Sequence, residues 1–410
     1  MFTQYGGEIK QIKSRKRSKG QIILFLSMRK TLTLLLAVCF LLACKNESST
    51  EQSDRIVKTQ QIQNSVTHAT GFRLYHYSDY SILEVDNPWP EADRTFRYLL
   101  YTQRAMPLQD AAENFDAVIT VPVKSLVVTS TTHIPSLEAL NAEELLLGFP
   151  QTDYVSSPKT RALIDAGKVK ELGGTQQLNL ELLIDAAPDV VVGFGVDGDN
   201  KTLDRVQEAG IPVVYNGDWV EQDPLGKAEW LKFFGALLDK NEQATTAFNK
   251  IAEEYSRVKA LAQNQSDTPT VLSGAMYKDV WYLPNGQSWA AQFLRDAKAD
   301  YRYADTQGKG SLSLSIESVL EKSQDAAFWI GPGQFTSLTQ MAEANAIYAE
   351  FAAFKAGEVY SFTTNKGPTG GVIYYELAPN RPDLVLKDLI RILHPELLPE
   401  HELYFFSKLE

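Results

Sequence analysis

The chain has 410 residues, of which 44% are apolar, and this predicts two folded domains rather than one small module or a disordered chain. Residues 1–43 hold eight of the 40 Lys and Arg but one of the 51 Asp and Glu. The remainder has 32 basic and 50 acidic side chains, a formal charge of −18, which argues against nucleic acid as a partner.

The N-terminus has the features of an export signal. Residues 28–30 (MRK) are followed by the apolar run 31–43, and a helix of that length spans about 20 Å, less than the roughly 30 Å of a hydrocarbon core. The ending LLAC at 41–44 resembles a bacterial lipobox, which implies cleavage before Cys44 and lipidation of its sulfur. An ordinary signal peptide with an incidental cysteine is the alternative.

We therefore interpret residues 1–43 as an upstream extension and lipoprotein signal peptide, and the polar residues 44–67 as a flexible tether. Cys39 and Cys44 are the two cysteines of the sequence, so the globular part is expected to lack disulfides and a cysteine nucleophile. The protein is expected to be exported and lipid-anchored.

Short strands and helices follow along the chain. We predict strands at 72–77, 81–85, 95–101, 117–123 and 125–129, a helix at 134–147, and then a helix at 180–186, a strand at 189–194, a helix at 201–209 and a strand at 211–215. Residues 225–263 are strongly helical, and beyond them we predict strands at 270–273, 280–283, 326–330 and 359–362 with a helix at 289–297. The alternation predicts two α/β lobes, 68–224 and 264–410, joined by the helical bridge 225–263.

A repeat crosses this bridge. Residues 179–195 (NLELLIDAAPDVVVGFG) align without gaps on residues 315–331 (SIESVLEKSQDAAFWIG), with shared columns at Glu181/Glu317, Asp189/Asp325 and Gly195/Gly331. Asn179 and Ser315 are predicted helix N-caps, and a carboxylate in the first turn is favoured by the helix dipole. That local role would explain either glutamate alone, but the same arrangement in both lobes indicates a shared function.

Residues 193–198 (GFGVDG) match the dinucleotide-binding pattern. Several strands precede the motif, and Asp197 inside the loop would repel a pyrophosphate, so the glycines are interpreted as a turn at the ligand-bearing end of a strand. The sequence contains neither G-x-S-x-G nor H-E-x-x-H, and we expect a non-enzymatic protein. An exported nucleotide-dependent oxidoreductase using residues 193–198 is the alternative.

Candidate ligand contacts lie at predicted strand ends. His133 follows a strand within TSTTH (129–133), and the aromatic residues offer flat apolar faces for a bulky ligand. Arg381 would either pair with an anionic ligand or anchor the final helix. The cleft candidates are Thr132, His133, Phe194, Trp219, Tyr277, Trp281, Trp329 and Arg381. The five histidines are scattered, so no protein metal site is expected, although a bare-metal binding protein of the same fold is an alternative.

Several of these features together resemble one family. The LLAC ending, the polar tether, the NLELLIDAAPDVV and SIESVL motifs and the helical bridge are similar to class III substrate-binding lipoproteins of bacterial ABC importers for ferric siderophores, haem and cobalamin. The resemblance covers roughly residues 115 to 400, and the strands at 72–101 are longer than this family leads us to expect before the first lobe.

The resemblance implies a class III periplasmic binding protein fold, with two α/β lobes, central mostly parallel sheets and one long backbone helix. It implies a monomer without a cofactor, held by a lipid anchor on the periplasmic face of a bacterial membrane. The ligand would be an iron(III) chelate or a corrinoid, delivered to an ABC permease dimer with its ATPase. By motif position, Glu181 and Glu317 would dock on permease arginines. A surface adhesin or structural lipoprotein is a further alternative, which would lack an enclosed cleft.

Overall fold

The computed structural model describes residues 63–102, 113–174, 177–195 and 200–410, with the side chain of Gln177 left out. The interpreted signal peptide, Cys44 and the tether up to residue 62 therefore lie outside the described residues. Asp197 of the GFGVDG motif lies outside them as well.

An N-terminal sheet opens the first lobe and shares its core. Its strands are β1 (Phe72–His76), β2 (Tyr80–Asp86), β3 (Thr95–Thr102) and β4 (Ala117–Val121). The strands lie in the order β1-β2-β3-β4, antiparallel except for the parallel pair β3-β4. Each strand turns alternate side chains inward, and Phe72, Leu83 and Tyr98 are examples that are buried in the core of the first lobe. The strands predicted at 72–101 are therefore part of that lobe.

The folded body begins before residue 68. Val66 is 6% exposed and belongs to the first core, and the Asn64 side chain accepts a hydrogen bond from the Leu74 amide at 3.0 Å. The prediction that the tether extends to residue 67 is thus wrong for residues 63–67. This segment has a polar composition, but the buried carboxylate of Glu229, far along the chain, accepts hydrogen bonds from its backbone.

The first lobe is built on a five-stranded parallel sheet. Its strands lie in the order β11-β10-β5-β6-β7, and β8 and β9 form a separate antiparallel pair. The strands are β5 (Leu126–Val128), β6 (Leu146–Phe149), β7 (Lys170–Glu171), β8 (Gly173–Gly174), β9 (Gln177–Leu178), β10 (Val190–Gly193) and β11 (Val213–Tyr215). The helices are α1 (Ile134–Ala139), α2 (Pro158–Asp165), α3 (Leu180–Ala186) and α4 (Lys201–Glu208).

The helix predicted at 134–147 is shorter than expected. Helix α1 ends at Ala139, Asn141 adopts a left-handed φ of 49°, and the leucine-rich end of the segment continues into strand β6. A short run of leucines is compatible with a buried helix or a buried strand. Pairing with β5 selects the strand, and local sequence does not contain that information.

The bridge consists of three helices. They are α5 (Pro224–Glu229), α6 (Leu231–Leu237) and α7 (Asn241–Gln263). Helix α7 has 23 residues, about 35 Å in length. Its Ala244 joins the core of the first lobe, whereas Tyr255, Val258 and Ala262 join the core of the second. Helix α7 is therefore the long helix that connects the two lobes.

The second lobe repeats the α/β arrangement. Its main sheet has the order β15-β12-β17-β18-β19, parallel except for β19, and β13-β14-β16 form an antiparallel sheet. The strands are β12 (Thr270–Ser273), β13 (Ala275–Tyr277), β14 (Val280–Pro284), β15 (Asp300–Tyr301), β16 (Ser311–Leu314), β17 (Phe328–Ile330), β18 (Val359–Ser361) and β19 (Ser407–Lys408). The helices are α8 (Trp289–Asp296), α9 (Ile316–Ser323), α10 (Leu338–Ala344), α11 (Ala352–Ala356), α12 (Ile373–Leu377) and α13 (Pro382–Leu393).

The predicted fold class is confirmed: two α/β lobes with mostly parallel sheets are joined by a long helix. Among the helices of the described residues, none combines the length and the apolar character needed to cross a bilayer.

Candidate functional site

A cavity of about 310 Å³ lies between the lobes, at the carboxyl ends of the first-lobe strands. Strand β5 leads to β6 on one side, whereas its other neighbour β10 leads to β11 on the opposite side. Open α/β sheets bind their ligands at the carboxyl ends of strands where the order reverses in this way. The first lobe supplies Thr129, Ser130, Thr131, Phe149, Pro150, Gln151, Tyr154 and Phe194, and the second supplies Gly371, Val372 and Tyr375.

Hydrogen bonds between neighbouring strand ends fix the first-lobe wall. The Thr129 amide donates to the Val192 carbonyl at 3.2 Å, and the Phe194 amide donates to the Thr129 hydroxyl at 2.9 Å. The Ser130 hydroxyl caps the short 3₁₀ turn Thr131–His133 by accepting from the Thr132 amide. The ends of β5 and β10 are thereby tied together, and the aromatic ring of Phe194 is held at the cavity.

Aromatic rings dominate the rim of the cavity. Phe194 packs edge-on against Trp219 with 6.2 Å between ring centroids, and the Trp219 indole donates to the Gly195 carbonyl at 3.0 Å. Tyr154 is 58% exposed and Tyr375 is 50% exposed, so both keep open ring faces. All the described lining residues are uncharged. The site therefore offers ring faces, hydroxyl groups and one side-chain amide.

The predicted cleft residues are distributed unevenly around this cavity. Phe194 lines the cavity, and Trp219 packs against the Phe194 ring without lining the cavity itself. Thr132 lies at the edge, where its carbonyl accepts a hydrogen bond from Asn380 of the second lobe. Tyr277, at the end of β13, is 67% exposed and is not among the cavity-lining residues.

Two tryptophans predicted for the cleft belong to the core of the second lobe. Trp281 and Trp329 are fully buried and stacked, with 5.3 Å between their rings. Their indole groups donate to the carbonyls of Ser273 and Gly274. The prediction of ligand contact is wrong for both, because they occupy inward positions of β14 and β17 and their polar atoms are already satisfied.

His133 also lies in the core rather than in the cleft. It is fully buried, and its ring centroid is 5.4 Å from that of Phe234 in α6. Burial lowers the pKa of His133, although the Asp218 carboxylate opposes this shift. His133 is not among the residues that line the cavity, so the prediction of a ligand-contacting histidine is wrong.

For Arg381, the structure selects the anchoring role. Its guanidinium group forms two hydrogen bonds to Asp383, at 2.7 and 2.8 Å, at the start of α13. Hydrogen bonding to this carboxylate raises the pKa of Arg381, and burial opposes the shift. The arginine faces a groove along α7 rather than the interlobe cavity, so the prediction that places it in the cleft is wrong.

The repeated glutamates are both exposed. Glu181 lies in the first turn of α3, whose N-cap Asn179 accepts a hydrogen bond from the Leu182 amide at 3.1 Å. Glu317 lies in the first turn of α9, whose N-cap Ser315 accepts from the Ser318 amide at 3.3 Å. Hydrogen bonds from its own amide and from Ser315 lower the pKa of Glu317.

Topology places both acids at corresponding edges. Each helix ends a few residues before a parallel strand, α3 before β10 and α9 before β17, and packs on the sheet. Such a helix runs antiparallel to the strand that follows it. Its first turn therefore lies toward the carboxyl ends of the strands, the edge that bears the cavity.

Most of the first-lobe wall was absent from the sequence prediction. Phe149, Pro150, Gln151 and Tyr154 follow β6, the strand hidden in the leucine-rich segment. Once β6 is recognised, the loop after its carboxyl end becomes a candidate by the same rule that pointed to residues 129–133. Within the described residues, no cluster of three or more His, Cys, Asp or Glu side chains is arranged to hold a metal ion.

Comparisons with known proteins find relatives in sequence and in fold. An uncharacterized lipoprotein of Methanocaldococcus jannaschii is 29% identical over 307 residues, which cover 72% of this chain and 71% of the relative. A periplasmic haem binding protein of Pseudomonas aeruginosa has a TM-score of 0.53 at 17% identity, covering 70% of this chain and 98% of its own.

The triscatecholate siderophore binding protein of Bacillus subtilis, complexed with ferri-bacillibactin, has a TM-score of 0.50 at 16% identity, covering 68% of this chain and 94% of its own. These two structural likenesses concern the fold. The protein-family model described as "Periplasmic binding protein" matches residues 126–365. This range includes both repeated glutamates and all the cavity-lining residues of the first lobe. This chain therefore belongs to the periplasmic binding protein family, whose members bind solutes for ABC transporters.

Proposed function

We propose that this protein captures an iron(III) chelate, either a siderophore or haem, or a corrinoid in the interlobe cavity and delivers it to the permease of an ABC importer. The observation that carries the proposal is the aromatic cavity at the carboxyl ends of the first-lobe strands, closed from the other side by the second lobe. Its volume of about 310 Å³ lies at the lower end of small-molecule sites. A chelate would fill it and extend over the exposed rings of Tyr154 and Tyr375.

The charge of the site narrows the ligand class. The cavity lining is uncharged in the described residues, and the chain beyond residue 43 has a formal charge of −18. An anionic ligand would have to leave water without gaining a cationic partner there. We therefore expect neutral or cationic chelates, such as hydroxamate siderophores and cobalamin, to bind more tightly than trianionic ferric tris-catecholates.

Titration of the purified protein with a ligand panel tests this function. We expect ferrichrome, ferrioxamine B or cobalamin to change tryptophan fluorescence, because Trp219 contacts the cavity residue Phe194, with a Kd of about 1 μM or tighter. A ferric tris-catecholate and haem complete the panel. Lack of response to every compound would contradict the proposed function, and preference for the tris-catecholate would contradict the charge argument.

The two exposed tyrosines provide a test of the site itself. Tyr154→Ala and Tyr375→Ala are each expected to weaken binding of the best ligand roughly tenfold, since each removes one ring face at the rim. Tyr277→Ala is the matched control, because this tyrosine is also exposed but lies outside the cavity lining. Isothermal titration calorimetry would measure all three, and a larger effect at Tyr277 would place the ligand elsewhere.

Glu181 and Glu317 are proposed as the permease-docking residues, and Cys44 as the lipid-bearing residue of the mature N-terminus. Exposure of both acids and their symmetric positions on α3 and α9 support the docking role. The naming of the Methanocaldococcus jannaschii relative as a lipoprotein supports the anchor. We further propose that the protein acts as a monomer on the periplasmic face of the membrane.

A further inference from the structure

Residues 367–380 of the second lobe reach across to the first lobe, and we name this segment the clasp. Near its beginning, the Thr369 hydroxyl donates to the Asp153 carbonyl at 2.7 Å. At its end, the Asn380 side chain donates to the Thr132 carbonyl at 2.8 Å and accepts from the Ser136 hydroxyl at 2.7 Å. Both ends of the clasp are thus bonded to the other lobe.

The middle of the clasp carries a buried carboxylate. Glu376 in α12 is 3% exposed and accepts hydrogen bonds from the Ser156 amide at 2.6 Å and the Ser157 amide at 2.9 Å. These amides precede α2, whose N-cap Ser157 makes no capping hydrogen bond with its own side chain. The carboxyl group of one lobe therefore accepts hydrogen bonds from the two amides that immediately precede a helix of the other.

Two glycines allow this close approach. A Cβ atom at Gly367 would lie 2.7 Å from the Cα of Ser156, and one at Gly371 would lie 2.6 Å from the Tyr154 carbonyl oxygen. Both distances are shorter than real side-chain contacts, so the clasp backbone lies directly against the first lobe. The contact is therefore tightly packed as well as hydrogen-bonded.

The clasp also forms a wall of the cavity. Gly371, Val372 and Tyr375 are the second-lobe residues that line it, and Tyr375 is adjacent to Glu376. We propose that the clasp holds the two lobes together on one side of the cavity, with Glu376 as the positioning residue that places Tyr375 against the ligand. The effect on ligand binding rests on the proposed function, whereas the contact between the lobes does not.

Protonation of Glu376 adjusts the strength of this contact. Burial raises the pKa of Glu376 to about 7; the Ser156 and Ser157 amides at α2 oppose this shift, and the Glu138 carboxylate of α1 adds to it. A carboxyl group whose pKa exceeds its value in water binds its proton more tightly in the clasped state. This contribution to clasping is complete below the ordinary pKa of 4.5 and is lost as the pH rises through about 7.

Hydrogen exchange of the ligand-free protein tests the clasp. Glu376→Ala is expected to accelerate exchange of the Ser156 and Ser157 amides roughly tenfold to a hundredfold, since they lose their hydrogen-bond acceptor. In the unaltered protein, protection of these amides should fall as the pH rises through about 7. Glu376→Gln, which stays neutral at every pH, should abolish that pH dependence.

Glu358→Ala is the matched control, because Glu358 is a partly exposed glutamate whose bonds to Tyr360 and Lys408 stay within the second lobe. It should leave the Ser156 and Ser157 amides unchanged. Unchanged protection in Glu376→Ala, or a pH dependence that survives in Glu376→Gln, would overturn the clasp. If Glu376→Ala does not fold, Glu376→Gln and Asn380→Ala decide the question. No ligand is present, so failure of the proposed cargo would not produce these outcomes.

Discussion

Reversal of both repeated acids, Glu181→Lys with Glu317→Lys, is expected to abolish ligand uptake in cells, by roughly a hundredfold or more. Each substitution would bring a cation against the basic permease pocket that the proposed docking requires. Charge complementarity across an interface sets the rate and orientation of encounter, and like charges placed together oppose binding by several kcal/mol. Each single reversal should reduce uptake less than the double reversal does.

Ligand affinity should remain unchanged in the same double variant. Both acids are exposed on helices α3 and α9, and neither lines the interlobe cavity. Calorimetric titration of the purified variant with the best ligand would show this. A loss of affinity or of folding would mean that the acids serve the cavity or the fold, and would contradict the docking role.

The chain offers a matched control for this experiment. Asp185 and Glu321 are exposed acids one turn further along the same two helices, in the same column of the repeat. Asp185→Lys with Glu321→Lys changes the net charge by the same amount. Uptake should be close to that of the unaltered protein, because only the first turns lie at the edge proposed to face the permease. An equal loss in the control would indicate a general charge effect.

Replacement of the buried carboxylate of Glu229 is expected to destabilise the first lobe by roughly 3 kcal/mol or more. Glu229 is fully buried and accepts hydrogen bonds from the amides of Thr67, His68 and Ala69, while Lys232 donates to it at 2.7 Å. Glu229→Gln would leave the Lys232 ammonium group, which is itself 6% exposed, without its charged partner. Urea denaturation followed by circular dichroism would measure the change.

Glu253→Gln is the control for this substitution, because Glu253 is an exposed glutamate on the long helix α7. It should change the free energy of unfolding by less than about 0.5 kcal/mol. Limited proteolysis should also cleave Glu229→Gln more rapidly near residues 63–71, the segment that the carboxylates of Glu229 and Glu221 bind. A stability equal to that of the control would show that this segment contributes little to the lobe.

Local patterns in the sequence predicted the larger organisation. Alternating strands and helices predicted the α/β class. The helical pattern over residues 225–263 predicted the connection between the lobes. The repeat placed Glu181 and Glu317 on the first turns of equivalent helices, and capping residues such as Asn179 are recognisable from residue type alone. These features depend on contacts between residues close in sequence, so the sequence contains them directly.

The tertiary structure decided which residues line the cavity. Trp281 and Trp329 are residue types that suit a ligand site, but the pairing of their strands turns both side chains into the core. Tyr154 follows strand β6, so its place in the cavity was recognisable only once that strand was known.

Glu376 accepts hydrogen bonds from two amides that lie 220 and 219 positions earlier in the chain. Glu229 accepts from amides about 160 positions earlier. A buried carboxylate is stable only when donors from elsewhere in the fold surround it, and a local sequence pattern does not record those donors. Sequence therefore determined the two lobes and their repeated acids, whereas packing between distant segments decided which side chains face the ligand and which hold the lobes together.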